Sequence, residues 1–519
     1  MEETLPLLRG RISLEDALAE DVDIARELSW PGRRYWFWLE LYARRDDMAH
    51  VVSRHLGLRL SDFALGGVEK WIHGSFNACV PVHVAAGAAA RTGLPRRALL
   101  RFPLPYKVGD DVCPGNADEK LRSEAATYLW LQQNCPDVPV PRLLGFGFPG
   151  KRSFTAVQHE SLLNRIIWSL RHVVSRMFGR RTCPYVAHDR SHLHDLGYLV
   201  LEHVEAGEML SSSWEEHRGD ARRRGNLFRG LSRIMLRLAS VPLPRIGSWS
   251  MDDDGNLIFT NRPLTLLLHQ LENAEIPTEM PRESTYSSVE PYILDLLTCQ
   301  DNRIRHQPNS IHHQQDGESQ LAALTAMRAL LPRLTDKRLR HGPFVFTLTD
   351  LHQSNIFVDP DWNITSIIDL EWACSRPVEM LGPPEWLSGR RLDELAFHYD
   401  EFRSLHDEFV AAVETEERAQ GSTGAAAERM RVSWRTGSYW YFRALDSPTT
   451  LLALVIDHIL PRFAELSCTA QQEFGRTLAP LWDVDTPRFI SSKVREDGLY
   501  RQRLRDLYAQ SAAEPSDSE

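Results

Sequence analysis

The stretch TLTDLHQSNIFVDPDWNITSIIDLEWA, Thr347 to Ala373, constrains the fold more than any other part of the chain. NIFVD and ITSIID are short β-type runs, and Pro360, Asp361, Trp362 and Asn363 between them have turn-forming composition. Paired as an antiparallel hairpin, they bring Asn355, at the start of the first run, beside Asp369, at the end of the second. Asp350 sits in the turn before the hairpin, after the apolar run PFVFTL, and is directed to the same region. An amide oxygen and a carboxylate at one end of a hairpin suit Mg²⁺, which takes hard oxygen ligands and completes its shell with water and phosphates. A further carboxylate that need not bind the metal can orient a hydroxyl and accept its proton during phosphoryl transfer.

The rest of the chain sets the frame. A length of 519 residues exceeds the usual single core, so two or more packed units are expected. The net charge of -10 argues against a general nucleic-acid binder. Seven cysteines are scattered without a CxxC pair, as in a reduced, cytoplasmic protein. The start, MEETLPLLRG, lacks the basic-then-apolar order of a secretory signal, and the best apolar run, LLALVIDHIL, is interrupted by Asp457 and His458, so no transmembrane segment is expected.

Residues 1–65 read as an N-terminal helical extension, with Ser13 and Asp16 forming a capping-box-like start. Residues 66–205 read as a β-rich unit: WIHGSFNACVPVHV and ALLRFP as strands, DEKLRSEAATYLWLQQN as a helix, and GYLVLEHVEAG as another strand. Residues 151–195 read as a basic amphipathic insertion outside the sheet, with SLLNRIIWSLRHVVSRMFGRR expected to pack its apolar face on this unit. Residues 206–505 read as mainly helical around the 347–373 hairpin. The segments TCQDNRIRHQPNSIHHQQDGES and EERAQGSTGAAAERM read as mobile, and 506–519 as a disordered acidic tail. The histidines of HDRSHLHD and HQPNSIHHQQ lack paired metal-ligand spacing and read as solvated.

Asp350-Leu-His-Gln-Ser-Asn355 and Ile367-Ile368-Asp369-Leu370-Glu371 resemble the catalytic loop and metal-binding segment of the aminoglycoside phosphotransferase and choline kinase-like families, small-molecule relatives of protein kinases. The resemblance covers about Val68 to Phe402. It implies an α+β, two-lobed protein-kinase-like fold, with a small β-rich lobe and a larger helical one. It makes Asp350 the catalytic base, and Asn355 and Asp369 the Mg²⁺ ligands. It also implies transfer of the γ-phosphate of ATP or GTP to a hydroxyl of a small-molecule acceptor. Leu348 stands where the family often has His, and no D-F-G follows.

The same plan assigns the nucleotide contacts. Gly74, Ser75 and Asn77 lie in a turn whose N–H groups would cover phosphates. Arg101, within the apolar strand LLRFP, takes the place of the phosphate-binding Lys, paired with Glu124 or, failing that, Glu119. Lys107 is a second, looser phosphate candidate. Glu202, His203 and Val204 would supply hinge backbone to the base. Glu371, Trp372, Glu379, Glu385, Trp386, Asp393 and Glu394 raise the option of a cationic acceptor. A non-catalytic, scaffold-type kinase relative is the alternative reading, favoured by Leu348, Arg101 and the weak glycine turn.

Overall fold

The protein is described from a computed structural model covering residues 4–150, 152–177, 183–421, 424–464 and 467–513. Its front lobe is built on one antiparallel sheet. Strand Asn77–Val84 pairs on one side with Phe63–Leu65 and the short Ile72–His73, and on the other with Arg97–Pro103. Tyr198–Glu202 comes next, then Leu143–Gly147, Arg152–Ala156 and Tyr185–Asp189. The long central strands bury alternate or successive apolar side chains, because helices cover the sheet.

Helix Asn116–Asn134 packs under the sheet and joins the two lobes. One apolar cluster takes Leu121, Phe146 and Leu199 from the front lobe and Phe346, Ile367 and Leu370 from the back, with the rings of Trp130 and Phe346 4.4 Å apart. The back lobe is a large helical core crossed by the hairpin Ile356–Val358 and Ile364–Ile367. A carboxylate shapes the hairpin's turn: Asp359 Oδ1 accepts from the N–H groups of Asp361 and Asn363 at 3.0 and 2.9 Å. Trp362, at φ 63°, then inserts into the core, stacking on Trp214 at 5.4 Å.

The N-terminal extension holds a small hairpin, Thr4–Pro6 with Arg11–Ser13, as well as helices. Ser13 caps the helix Leu14–Ala19 as its spacing with Asp16 indicates, accepting from Asp16 N at 3.1 Å. This part packs on the terminal helix Thr486–Ala513: Tyr500 Oη accepts from Ile24 N at 2.8 Å, and Tyr508 Oη donates to Ile12 O at 2.9 Å. Helices Trp30–Ala43 and Arg45–Leu56 then lie on the front-lobe sheet through Phe37, Leu41, Val52 and Leu56. The extension therefore runs from the back lobe to the front lobe as a strap. No described helix is long and apolar enough to cross a membrane.

Several sequence expectations need correction. Residues 152–156 and 185–189 of the expected insertion are strands that prolong the sheet, and only Leu162–Met177 between them is helical. The segment expected to be mobile around 298–319 forms the end of helix Val289–His306 and the start of Gln314–Leu334. Its polar residues are ordered by backbone partners: Asn309 Nδ2 donates to Glu20 O and Val22 O, and Gln307 Nε2 to Asp21 O. Helix Thr486–Ala513 takes in residues 506–513 of the expected tail, since Tyr508 is buried against the N-terminal hairpin; 514–519 lie outside the described residues. In 416–430 helices run to Ala419 and from Ala425, with 422–423 outside the described residues. In the first patch His194 is exposed as expected, but His188 and His192 are partnered, by Glu160 and Asp47.

His55 sits fully buried between Thr155 Oγ1 and Tyr198 Oη, each at 2.9 Å, and passes so close to Gly145 that a Cβ there would lie 2.2 Å from its ring. Burial pushes its pKa down to about 3, with the positive neighbours His188 and Arg190 adding to the shift. The folded protein thus keeps His55 neutral, while the unfolded chain protonates it below about pH 6.5. This contribution to stability is complete above pH 6.5 and is lost as pH falls towards 3, amounting to about 2 kcal/mol by pH 5. Urea unfolding at pH 7 and pH 5 should show a smaller loss for His55→Gln than for the native chain; equal losses would place the titration elsewhere.

Candidate active site

The site lies where the hairpin meets the underside of the front-lobe sheet. Strand Phe344–Leu348 pairs antiparallel with Ala373–Pro377 and delivers Thr349 and Asp350 to its end. The loop beyond is held without a histidine two places before Asp350. Thr349 donates twice to Trp372 O, from N at 3.0 Å and Oγ1 at 2.7 Å. Trp386 Nε1 donates to Leu351 O at 2.8 Å, and Asn355 Nδ2 to Asp350 O at 2.9 Å. Leu348 packs instead into the cluster that joins the lobes.

The hairpin register pairs Ile356 with Ile367, and Ile368 N donates to Asn355 O at 3.0 Å. Asn355 and Asp369 therefore flank one end of the hairpin, with Asp350 beside them: Asn355 Nδ2 lies 3.3 Å from Asp350 Oδ2. That donor bond turns the amide oxygen of Asn355 to the other side. Asp369 has φ 59°, a left-handed conformation seldom seen outside Gly, Asn and Asp and concentrated at functional sites.

Around Asp369 is a buried ionic cluster. Arg101, from strand Arg97–Pro103, reaches Glu124 Oε1 at 2.8 Å, Asp369 Oδ1 at 2.7 Å and Glu371 Oε2 at 2.9 Å. Lys120, fully buried on the same helix as Glu124, reaches Asn77 Oδ1 at 2.7 Å and Glu371 Oε1 at 3.2 Å. Asn77 Nδ2 closes the ring onto Glu371 Oε1 at 3.0 Å. Burial pushes Asp369 up, whereas the nearby cations Arg101 and Lys120 hold Glu371 down at about 2. Burial also raises Glu124 to about 8 and Asp350 to about 8, the charges of Glu371 and Asp369 adding to the latter. Four carboxyl groups thus share the site with two cations, and the two raised to about 8 hold their protons at neutral pH in this arrangement.

Of the residues singled out in the sequence, Arg101, Glu124, Asn77, Asp350, Asn355 and Asp369 come together. Glu119, the fallback partner, is committed to Arg262 at 2.8 Å and Arg282 at 3.1 Å. Gly74 and Ser75 form the turn between strands Ile72–His73 and Asn77–Val84, and the following Phe76 meets Trp372 edge-on at 4.5 Å. The side chain of Asn77 points into the ionic ring. Glu202 ends its strand paired with Arg142, and His203 N donates to Arg97 O at 3.2 Å, next to Val204 at the passage between the lobes. Lys107 does not join the site: its ammonium lies 3.4 Å over the Trp30 ring, and burial lowers it to about 8. Lys120 and the structural use of Glu371 escaped sequence reading. The signal for Lys120 was its helical spacing, one turn before Glu124.

A cavity of about 150 Å³ opens beside Asp350, walled by Ile234, Met235, Leu238 and Leu381 on one part and by His352, Arg376, Glu385 and Arg443 on another. Of the seven residues considered for a cation, only Glu385 reaches it, and Arg443 pairs with that carboxylate at 3.1 Å. Glu371 and Trp372 are buried, Glu379 accepts from Asp336 N, and Asp393 and Glu394 serve Arg391. This wall provides no acidic cage for a polycation.

A β-rich front lobe, a linking helix whose Glu124 holds a strand cation, and a helical back lobe carrying a catalytic-type hairpin define the two-lobed α+β kinase-like class. The APH phosphotransferase enzyme family matches residues 89–380, more than half of the chain, and the chain belongs to that family. The match spans Arg101, Glu124, Asp350, Asn355 and Asp369, and begins after the Gly74 turn. No curated protein matches the chain. Family membership makes the protein a phosphotransferase enzyme in general class; its donor and acceptor are a separate matter.

Proposed function

We propose that the protein transfers the γ-phosphate of ATP or GTP to a hydroxyl of a small molecule, and that Asp350, Asn355 and Asp369 carry the chemistry. The observation that carries the reading is their convergence at one hairpin end beside a cavity, where carboxyl groups outnumber cations. Asn355 Oδ1 and the Asp369 carboxylate are hard oxygen donors, and two protein ligands leave room for water and phosphate oxygens around Mg²⁺. Bound there, Mg²⁺ would favour the ionised carboxylates and offset the charge developing on the phosphates.

Asp350 takes the acceptor proton as the acceptor oxygen bonds to phosphorus and the bond from phosphorus to the nucleoside diphosphate oxygen breaks. Arg101 has a buried Nε with no hydrogen-bond partner, an unused donor suited to a phosphate oxygen. Glu124 holds the guanidinium from the opposite side. Gly74 and Ser75 would place their N–H groups over the phosphates, and the Glu202 to Val204 backbone would face the base. The cavity wall, part apolar and part basic through Arg376 and Arg443, favours an uncharged hydroxyl-bearing acceptor over a polyamine. The intact Asp350, Asn355 and Asp369 set favours an enzyme over a scaffold.

The test is transfer of γ-labelled phosphate from ATP and GTP into a pooled metabolite extract, with nucleotide binding titrated in Mg²⁺ and in EDTA. Asp369→Ala should weaken binding in Mg²⁺ by about tenfold or more while leaving binding in EDTA unchanged, because it removes a metal ligand and not a nucleotide contact. Equal Mg²⁺-dependent binding by native protein and Asp369→Ala would remove Asp369 from the metal site.

A further inference from the structure

Between strands Arg152–Ala156 and Tyr185–Asp189 the chain leaves the sheet edge as the helix Leu162–Met177. The expectation that its apolar face packs on the front lobe is wrong. At roughly 100° per residue, Leu162, Ile166, Leu170, Val173 and Met177 fall within about 80° of one another. Leu163, Ile167 and Val174 widen this apolar arc to about 140° on the same side. All of these side chains are exposed, from 42% for Ile167 to 80% for Met177.

The helix is attached by its other face. Trp168 Nε1 donates to Cys183 O at 2.8 Å and Asn164 Nδ2 to Glu160 at 2.7 Å, tying the helix to the segments on either side, while the Trp168 ring stacks on His172 within the helix at 4.9 Å. A helix serving only a soluble domain buries its apolar stripe and exposes its polar one; here the arrangement is reversed. The charge pattern says what covers the stripe. The helix sequence LLNRIIWSLRHVVSRM has three arginines and no acid, in a chain whose net charge is -10. Arg165 and Arg171 are exposed and lie one on each side of the apolar arc. At sixteen residues the helix measures about 24 Å, too short to span a bilayer but suited to lying along its surface.

We propose that Leu162–Met177 is an interfacial helix that seats its apolar arc in an anionic bilayer surface, with Arg165 and Arg171 at the lipid phosphates. The inference goes beyond the phosphotransfer reading and stands without it. The partner is a lipid surface rather than a second copy of the chain, because two identical faces would bring arginines against arginines with no acid on the helix to pair them.

The full chain is tested by co-sedimentation with phosphatidylcholine vesicles and with vesicles in which phosphatidylserine supplies a minority of the headgroups. The native protein should bind the anionic vesicles, more weakly as salt rises. Ile166→Glu with Leu170→Glu should lower partitioning by about tenfold or more, with little change in melting temperature because both side chains are mostly exposed. Arg165→Gln with Arg171→Gln should reduce the preference for anionic over neutral vesicles while leaving residual apolar binding. The proposal is overturned if the native chain ignores anionic vesicles or if both double variants bind them as it does. It is equally overturned if sedimentation velocity shows a dimer that the glutamate pair dissolves, which would give the face to a second copy.

Discussion

Asp350→Asn should reduce phosphoryl transfer by about 10²–10⁴-fold while nucleotide affinity changes by no more than about threefold. The substitution preserves the shape of the side chain and removes only its capacity to take a proton. The loop should persist, because Thr349, Trp386 and Asn355 hold it through backbone acceptors that do not involve the Asp350 carboxylate. The carboxyl is pushed up to about 8 by burial and by the charges of Glu371 and Asp369, so it binds a proton more tightly than an ordinary aspartate. Single-turnover transfer and equilibrium nucleotide binding, measured side by side, separate the roles. Parallel loss of affinity would make Asp350 a binding residue, and undiminished transfer would end its assignment as the base.

Arg101→Met should cost about 3–5 kcal/mol of folding stability, the scale for removing one partner from a buried charge network. Glu124, Asp369 and Glu371 all lose a guanidinium contact within 3 Å, and Lys120 reaches only one of them. Methionine fills the volume, so the loss reports charge rather than a cavity. Adding Glu371→Gln should recover part of it, since the two sites share one network and their effects are not additive. Urea unfolding of the single and double variants measures this. A loss below about 1 kcal/mol would mean that the carboxylates take up protons once the arginine is gone, which a steepened pH dependence of the variant would reveal.

The parts of this molecule that were legible in its sequence are those governed by local rules. The 347–373 hairpin was readable because its strands are β-branched and its turn is built on Asp359, Pro360 and Asn363. The Arg101–Glu124 pair was readable through the kinase-like plan, which gives the strand cation a carboxylate on the following helix, as a charge inside an apolar strand requires. What failed depended on distant chain. The polar run around Gln307 and Asn309 looked disordered because its order comes from carbonyls of residues 20–22, far away in sequence. The strands at 152–156 and 185–189 were missed because a strongly amphipathic helix stands between them and dominated the periodicity. Lys120 was not singled out, because only the fold brings Glu371 against it.

The strap has a consequence for the order of events during synthesis. Ile24 and its partner Tyr500 are 476 residues apart, so the hairpin and first helices cannot bury Leu5, Ile12 and Ala17 until the helix carrying Tyr500 has been made. At about 5–20 residues per second, that interval is roughly half a minute to a minute and a half. The later part of the extension has its sheet within the first two hundred residues and can dock while translation continues. The front-lobe sheet can therefore be assembled while residues 4–25 still wait for the helix that covers them.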